Sequence, residues 1–214
     1  MNGYMKLSLI TCVFVGLLMN GCASTNVTGV WKKSGYSGEP LQSFLVVALT
    51  GDNDKKTLWE NILADQLNQK GLSARPSVKS FAGDSKVTKE EIINYVKKEG
   101  IEGVLVTRLV DTKKEEVYYP PSGGYYDYGG RYGFYNRFDS YYPHAYDRVS
   151  TPGYSTTHTT VLLETNLYLT ENQELIWSMS SDTFDPNSMN QLVDSVGKKI
   201  IATLQKSNLI AQPK

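Results

Sequence analysis

The chain has 214 residues, with 22 basic and 22 acidic side chains and 40% hydrophobic residues. This length suits one domain with tails, and the zero net charge argues against nucleic-acid binding, which needs a basic surface. Two cysteines are too few for a disulfide-stapled fold. Tyrosine is unusually frequent, with 15 residues against six Phe and three Trp.

Residues 1–21 have the pattern of a targeting signal. An apolar run at 7–18 follows Lys6. At about 1.5 Å per residue, this run would span about 18 Å as a helix, short of the roughly 30 Å hydrocarbon core of a bilayer. A basic start and a short apolar run are typical of a secretory signal peptide, which is removed from the mature protein.

The run ends in Met19-Asn20-Gly21-Cys22, which resembles a bacterial lipobox with Met in place of the usual Leu. The resemblance implies that Cys22 carries a covalent diacylglycerol and an N-acyl lipid, which anchor the protein to a membrane. Ala23, rather than Asp, then implies the periplasmic face of the outer membrane. The alternative is an ordinary signal peptide followed by an incidental cysteine.

Cleavage before Cys22 would leave 21 basic and 22 acidic residues, a net charge of −1. The remaining cysteine would be lipidated, so we expect no disulfide and no cysteine-ligated metal. Residues 22–41 are rich in Ser, Thr and Gly and lack periodicity. They predict a flexible tether with an end-to-end distance of about 25 Å, followed by a single domain at 42–210.

The first half of that domain alternates strands and helices. A continuous apolar run, FLVVALT, predicts a strand buried on both faces. Thr88 and Glu91 match a capping box, while Asp52 is placed to cap the first helix. The predicted elements are a strand at 44–50, a helix at 57–70 closed by Gly71, a weaker strand at 72–81, a helix from Thr88 closed by Gly100, and a strand at 103–110.

The second half predicts a hairpin and a final helix. Alternating apolar residues indicate strands at 160–169 and 175–179, and the short turn between them makes the pair antiparallel. Asp185 and Pro186 are typical of an N-cap and first helical position. The apolar stripe of the helix that follows consists of Met189, Leu192, Val193, Val196, Ile200 and Leu204.

The element order is therefore β-α-β-α-β-β-β-α. Strands separated by helices favour parallel pairing, whereas the hairpin adds antiparallel pairs. We expect an α/β fold with a mixed sheet of about five strands packed by three helices.

The tyrosines concentrate in a predicted insertion at 118–154, which holds 11 of the 15. Its Gly and Pro content disfavours regular structure, and a loop this long is usually functional or disordered. Three interpretations are a low-complexity insertion, an adhesive surface for protein or sugar, and a single-strand nucleic-acid site, which the neutral local charge disfavours. The candidate partner-binding residues are Tyr125, Tyr126, Tyr128, Tyr132, Tyr135, Tyr141 and Tyr142.

No catalytic or metal-binding motif is present in the sequence. His144 and His158 have no cysteine partner and no His-Glu-x-x-His spacing. An enzyme would need His158, Glu164 or another polar group to converge in a cleft. We therefore expect no catalytic residues, no metal and no cofactor other than the lipid.

The lipobox and most of residues 42–210 resemble small bacterial envelope lipoproteins with a compact α/β domain. The features that carry the resemblance are FLVVALT, EEIINYVKKEGIEGVLVTRL, the Tyr/Pro/Gly-rich insertion, and a hairpin and helix with LETNLYLTENQELIWSMSSDT and LVDSVGKKIIATL. The layout is also similar to the TolB amino-terminal domain, the curli-secretion lipoprotein CsgG and the penicillin-binding-protein activator LpoB. The resemblance favours a non-enzymatic envelope lipoprotein. The tyrosine density predicts that it binds an envelope protein or peptidoglycan, and the neutral charge predicts no nucleic-acid partner. The alternative is an oligomeric assembly or export component of the outer membrane.

Overall fold

A computed structural model describes residues 24–81, 87–119, 137–139, 141–142, 146 and 153–211. The chain divides into two compact units, unit 1 at 1–111 and 161–214, and unit 2 at 112–160. The predicted signal and Cys22 lie outside the described residues. Within the described part of the chain, no helix is both long enough and apolar enough to span a membrane.

The described residues form one six-stranded mixed sheet, with strand order β1-β6-β5-β4-β2-β3, and four helices. Strands β4 and β5 each run through both units. The elements in chain order are β1 (Ser24–Lys32), β2 (Ser43–Leu49), α1 (Asn53–Asn68), β3 (Ser73–Pro76), α2 (Ser77–Ser80), α3 (Lys89–Lys98), β4 (Gly103–Tyr119), β5 (Tyr154–Leu169), β6 (Leu175–Phe184) and α4 (Met189–Lys206).

The predicted α/β class with a mixed sheet is confirmed. Strand β2 pairs in parallel with β3 and β4, and its residues from Phe44 to Ala48 are buried on both faces. Strands β4 and β5 are antiparallel. The N–H of Thr170 donates to the carbonyl of Glu102, and the hydroxyls of Thr107 and Thr165 are in contact, so residue numbers rise along β4 as they fall along β5. The buried stripe of α4 packs with Leu63 and Leu67 of α1 in the main core. A smaller cluster lies under α3, around Leu45, Val47, Val96 and Ile101.

Several predicted local signals are also confirmed. Asp52 caps α1 by accepting from the backbone N–H groups of Asp54 and Lys55. Thr88 and Glu91 form the reciprocal capping box of α3. Gly71 and Gly100 have φ of 81° and 63°, the left-handed conformation that favours glycine after a helix.

The flexible tether predicted at 22–41 is wrong for its described part. Strand β1 pairs antiparallel with β6, with Ser24 opposite Phe184 and Lys32 opposite Trp177. The remainder also packs, because Leu41 is buried and its N–H donates to Leu209. The polar composition of β1 is compatible with an edge strand, which contacts a neighbour on one side only.

Two further boundaries differ from the prediction. The weak strand predicted at 72–81 ends at Pro76, after which the hydroxyl of Ser77 and the N–H of Val78 donate to the carboxylate of Glu60 and turn the chain into α2. The N-cap of α4 is Ser188, which accepts from the N–H of Gln191 at 3.2 Å. Asp185 instead has a φ of 47° in the connection before it.

The hairpin strands are longer than predicted. Strand β4 continues past residue 110 to Tyr119, and β5 begins at Tyr154 rather than near residue 160. Tyr118, Tyr119 and Tyr154 therefore belong to strands rather than to the insertion.

Hydrogen exchange distinguishes a paired β1 from a tether. We expect the β1 amides that bond to β6 to exchange far more slowly than the exposed amides at 37–39, because exchange requires the strand pair to open. Amide-resolved exchange measured by NMR checks this, with the amides of the central strand β2 as the protected reference. Exchange of the 24–32 amides as fast as at 37–39 would contradict the pairing.

Candidate functional site

Unit 2 presents exposed aromatic rings. Seven of its described aromatic residues are between 40% and 75% exposed. Large exposed rings can bury about 150–250 Å² each when a partner covers them. We call these residues the aromatic set: Tyr118, Tyr119, Phe138, Tyr141, Tyr142, Tyr146 and Tyr154.

Five rings of the aromatic set form close pairs, two of them stacked and one tilted. Tyr119 and Tyr154 are stacked with their centroids 5.1 Å apart. The ring of Tyr142 lies 5.2 Å from that of Phe138 and 6.1 Å from that of Tyr146. These separations are typical of favourable aromatic pairs. Each pair therefore restrains its rings while leaving much of their area accessible.

Backbone and charge contacts support this arrangement. Gly153 has no side chain, and a Cβ at that position would collide with the ring of Tyr118. Arg137 and Asp139 form an ion pair of 3.0 Å beside Phe138. The pair balances its own charge, so the local chemistry of the neighbouring rings is aromatic and hydroxyl rather than ionic.

Only part of the predicted set of binding tyrosines can be located. Tyr141 and Tyr142 are exposed members of the aromatic set. Phe138 and Tyr146 were not among the predicted binding residues, although both lie within the aromatic-rich segment whose composition was the available signal. The predicted residues outside the described part of the chain are Cys22, Tyr125, Tyr126, Tyr128, Tyr132 and Tyr135.

The two polar residues considered for catalysis lie in different units. In unit 1, Glu164 accepts from Asn166 at 2.6 Å and from Arg108 at 2.7 Å. The hydrogen bond from Asn166, reinforced by the Arg108 ion pair, holds the pKa of Glu164 below its ordinary value. In unit 2, the ring of His158 lies 3.4 Å from the hydroxyl of Thr156.

Glu60 is a fully buried carboxylate with a structural set of donors. One oxygen accepts from the N–H of Ala48 and the hydroxyl of Ser77, and the other accepts from the N–H of Val78, each at 2.8 Å. Three donors compensate its removal from water. Glu60 thereby joins α1 to β2 and to the start of α2.

Described residues of unit 1 line two open clefts. One, of about 860 Å³, lies where β2 and β4 begin and includes Tyr36, Lys97 and Glu102. Glu102 accepts from the backbone N–H groups of Gln42 and Ser43, and burial, followed by the charge of Glu102, raises the pKa of Tyr36. The other cleft, of about 470 Å³, is mainly aliphatic and lies between α3 and the sheet.

His158 and Glu164, the polar residues considered for catalysis, are not among the described residues that line either cleft. No histidine or cysteine is among the described residues that line them. Across the described part of the chain, no three His, Cys, Asp or Glu side chains are grouped to hold a metal ion.

No protein-family model matches the chain, and no curated protein matches it. Two PelC dodecamer structures from Paraburkholderia phytofirmans are each 13% identical to it, with TM-scores of 0.43 and 0.44. They cover 89% and 88% of this chain and 99% and 100% of their own. Lipoprotein GNA1162 from Neisseria meningitidis is 16% identical with a TM-score of 0.39, covering 77% of this chain and 98% of its own.

The lowered pKa of Glu164 predicts a pH-dependent contribution to stability. Its charged form is favoured in the folded state, so its contribution is present above the ordinary pKa of the unfolded chain and is lost as the pH falls through the lower folded pKa. Glu164→Gln should therefore reduce the free energy of unfolding at pH 7, by no more than about 1 kcal/mol for this partly exposed pair.

Urea unfolding at pH 7 and at low pH measures this difference between wild type and variant. We expect the difference to shrink in acid, where protonated Glu164 and Gln become chemically similar. Glu171→Gln, in the exposed turn after β5, is the control for loss of one carboxylate. If the free energies of unfolding of wild type and Glu164→Gln differ by the same amount at both pH values, the lowered pKa of Glu164 is contradicted.

Proposed function

We propose that the chain is a lipid-anchored, non-enzymatic envelope protein that binds an envelope protein or glycan through the aromatic set of unit 2. The observation that carries this proposal is the exposure of seven aromatic rings, five of which lie in ring pairs, two pairs stacked and one tilted. Tyrosine combines an apolar face with a hydroxyl and loses little rotamer entropy on binding. Such side chains suit sugar rings and protein surfaces alike.

The non-enzymatic part of the proposal is supported by how the polar side chains are used. Glu60 and Glu102 accept from backbone N–H groups, and Glu164 pairs with Arg108. Each of these carboxylates holds elements of the fold together. We accordingly assign no catalytic residue, no metal and no cofactor other than the lipid.

The location follows from the resemblance of residues 19–22 to a lipobox. We propose that Cys22 carries the diacylglycerol and N-acyl lipid and holds the protein on the periplasmic face of the outer membrane. Two or more acyl chains are enough for stable attachment.

Replacing the rings of the aromatic set should weaken binding. We expect simultaneous Tyr141→Ala, Tyr142→Ala and Tyr146→Ala changes to reduce binding at least about tenfold, equal to ~1.4 kcal/mol, because they remove the accessible ring faces. Co-sedimentation with purified peptidoglycan sacculi tests a glycan partner. Photocrosslinking in cells from a benzoylphenylalanine placed at Phe138 tests a protein partner.

The matched control carries Phe at the same three tyrosine positions. It retains the ring faces and should retain binding if stacking is the main contribution. If the triple alanine variant co-sediments with sacculi and crosslinks from position 138 as well as the wild type does, a role for these rings is refuted.

The anchor has its own test. We expect Cys22→Ala to remove the lipid mass from the protein and to block cleavage of the signal. Intact-mass spectrometry of wild type and variant measures both, and density fractionation assigns the wild type to one membrane. A wild-type protein without lipid would overturn the anchor, whatever the outcome for the aromatic set.

A second candidate function, an assembly or export component, is favoured by the edge strand β1. Strand β1 bonds to β6 on one side only, and it contains no proline and no charged residue before its last residue, Lys32. Edge strands that avoid pairing with other chains usually carry such residues. Val30 and Trp31 are also exposed on this strand. A second copy could therefore pair along β1.

If the protein is an assembly or export component, sedimentation velocity of the lipidated protein in detergent should show an oligomer. Val30→Lys and Trp31→Lys should each shift it towards monomer, because a charge at the edge opposes close pairing of strands. Gln69→Lys, at an exposed position after α1, controls for the added charge. A wild-type protein that stays monomeric at high concentration would eliminate this candidate.

A further inference from the structure

The aliphatic side chains between α3 and the sheet are incompletely covered. Helix α3 has 10 residues, about 15 Å of helix, and it packs against β2 and β4. Val104 and Val106 face this helix from β4, an interior strand of the sheet, yet both are only partly buried. Parallel strands covered by a helix are normally buried on both faces. The short helix therefore leaves a groove of about 470 Å³ beside it, which we call the aliphatic cleft.

The aliphatic cleft follows the length of α3. Lys89, at one end, is the first residue of the helix. Thr170, at the other end, donates its N–H to the carbonyl of Glu102, shortly after the helix ends. All the described residues that line the cleft belong to unit 1. Its aliphatic lining includes Val47, Ile92, Ile93, Val96, Val104 and Val106.

Lys89 is the one charged side chain among the described residues that line the aliphatic cleft. Its position is unfavourable for the helix, because the positive end of the helix dipole lies at the N-terminus. Glu90 and Glu91 lie outside this lining, and Glu91 accepts from the N–H and the hydroxyl of Thr88. An apolar groove with a single cation at one end complements a molecule that has an apolar chain and one negative charge.

We propose that the aliphatic cleft binds one long-chain fatty acid, with the carboxylate at Lys89 and the alkyl chain along α3. The hydrocarbon core of a bilayer is about 30 Å thick, so one acyl chain spans roughly 15 Å, the length of this helix. The cleft volume of about 470 Å³ is typical of a site for one small ligand, and its single cation matches one carboxylate. This site is separate from the aromatic set and does not depend on the lipid anchor.

The probe is a palmitate that carries a photoactivatable diazirine in its alkyl chain. It is added to the full-length processed protein in an amphipathic polymer, because detergent would compete for the cleft. After irradiation, mass spectrometry of tryptic peptides locates the label. We expect it in peptides 90–97 and 99–108, which contain the lining residues of α3 and β4. The concentration of unlabelled palmitate that halves the labelling measures affinity.

Two variants test the two parts of the site. Lys89→Gln should weaken palmitate binding about twofold to fivefold, the contribution of an exposed ion pair. Its melting temperature should stay the same or rise, because a cation is removed from the helix N-terminus. Val104→Phe should reduce labelling by filling the cleft. Lys98→Gln, at an exposed position of the same helix outside the lining, is the matched control and should bind palmitate as the wild type does.

Lys89→Gln decides the inference even if Val104→Phe fails to fold. Labelling of peptides 90–97 and 99–108 in the wild type, with affinity that falls in Lys89→Gln and not in Lys98→Gln, would support the site. Label spread evenly over the chain, or no labelling that palmitate displaces, would overturn it. Equal affinity of wild type and Lys89→Gln for palmitate would also overturn it, since the carboxylate would then not lie at Lys89.

Discussion

The pairing of β1 with β6 is the constraint on which the arrangement of unit 1 depends. Hydroxyl contacts reinforce this pairing. The hydroxyl of Thr25 lies 2.8 Å from that of Thr183 and 2.7 Å from that of Ser195 in α4. These contacts join the first described strand to a strand and a helix more than 150 positions later. They replace a loose connection by a defined point where the chain enters the sheet, and they leave the other side of β1 as an edge.

The two units have different physical characters. In unit 1, apolar side chains of α1, α4 and the sheet form the main core, and Glu60 ties the connections together through three hydrogen bonds. In unit 2, the described aromatic rings are largely exposed and contact one another. Burial of apolar area stabilises the first unit, whereas the exposed rings of the second are available to a partner. We therefore place the proposed binding function in unit 2, whose described aromatic residues are more exposed.

The predictions that were confirmed rest on local patterns. The stripe of α4, the apolar run of β2 and the capping box at Thr88 each need only neighbouring residues to be recognised. Strand β1 was missed because Ser24–Lys32 is polar and contains glycine, and because its pairing partner lies far along the chain. The end of β3 was missed for a similar reason, since the turn after Pro76 depends on Glu60 of another element. For the candidate site, the composition of the sequence indicated the aromatic segment. Which of its described rings pair with one another is decided by the tertiary structure.

The sequence by itself determined the α/β class, most helices and strands, the concentration of tyrosine and the resemblance of residues 19–22 to a lipobox. Periodicity, caps and composition are properties of neighbouring residues, so they can be read along the chain. The tertiary structure alone decided that β1 completes the sheet and that α3, β4 and the end of β5 line one aliphatic cleft with Lys89 in its lining. Strand order and register bring these elements together, and both are set by hydrogen bonds between segments that are distant in sequence.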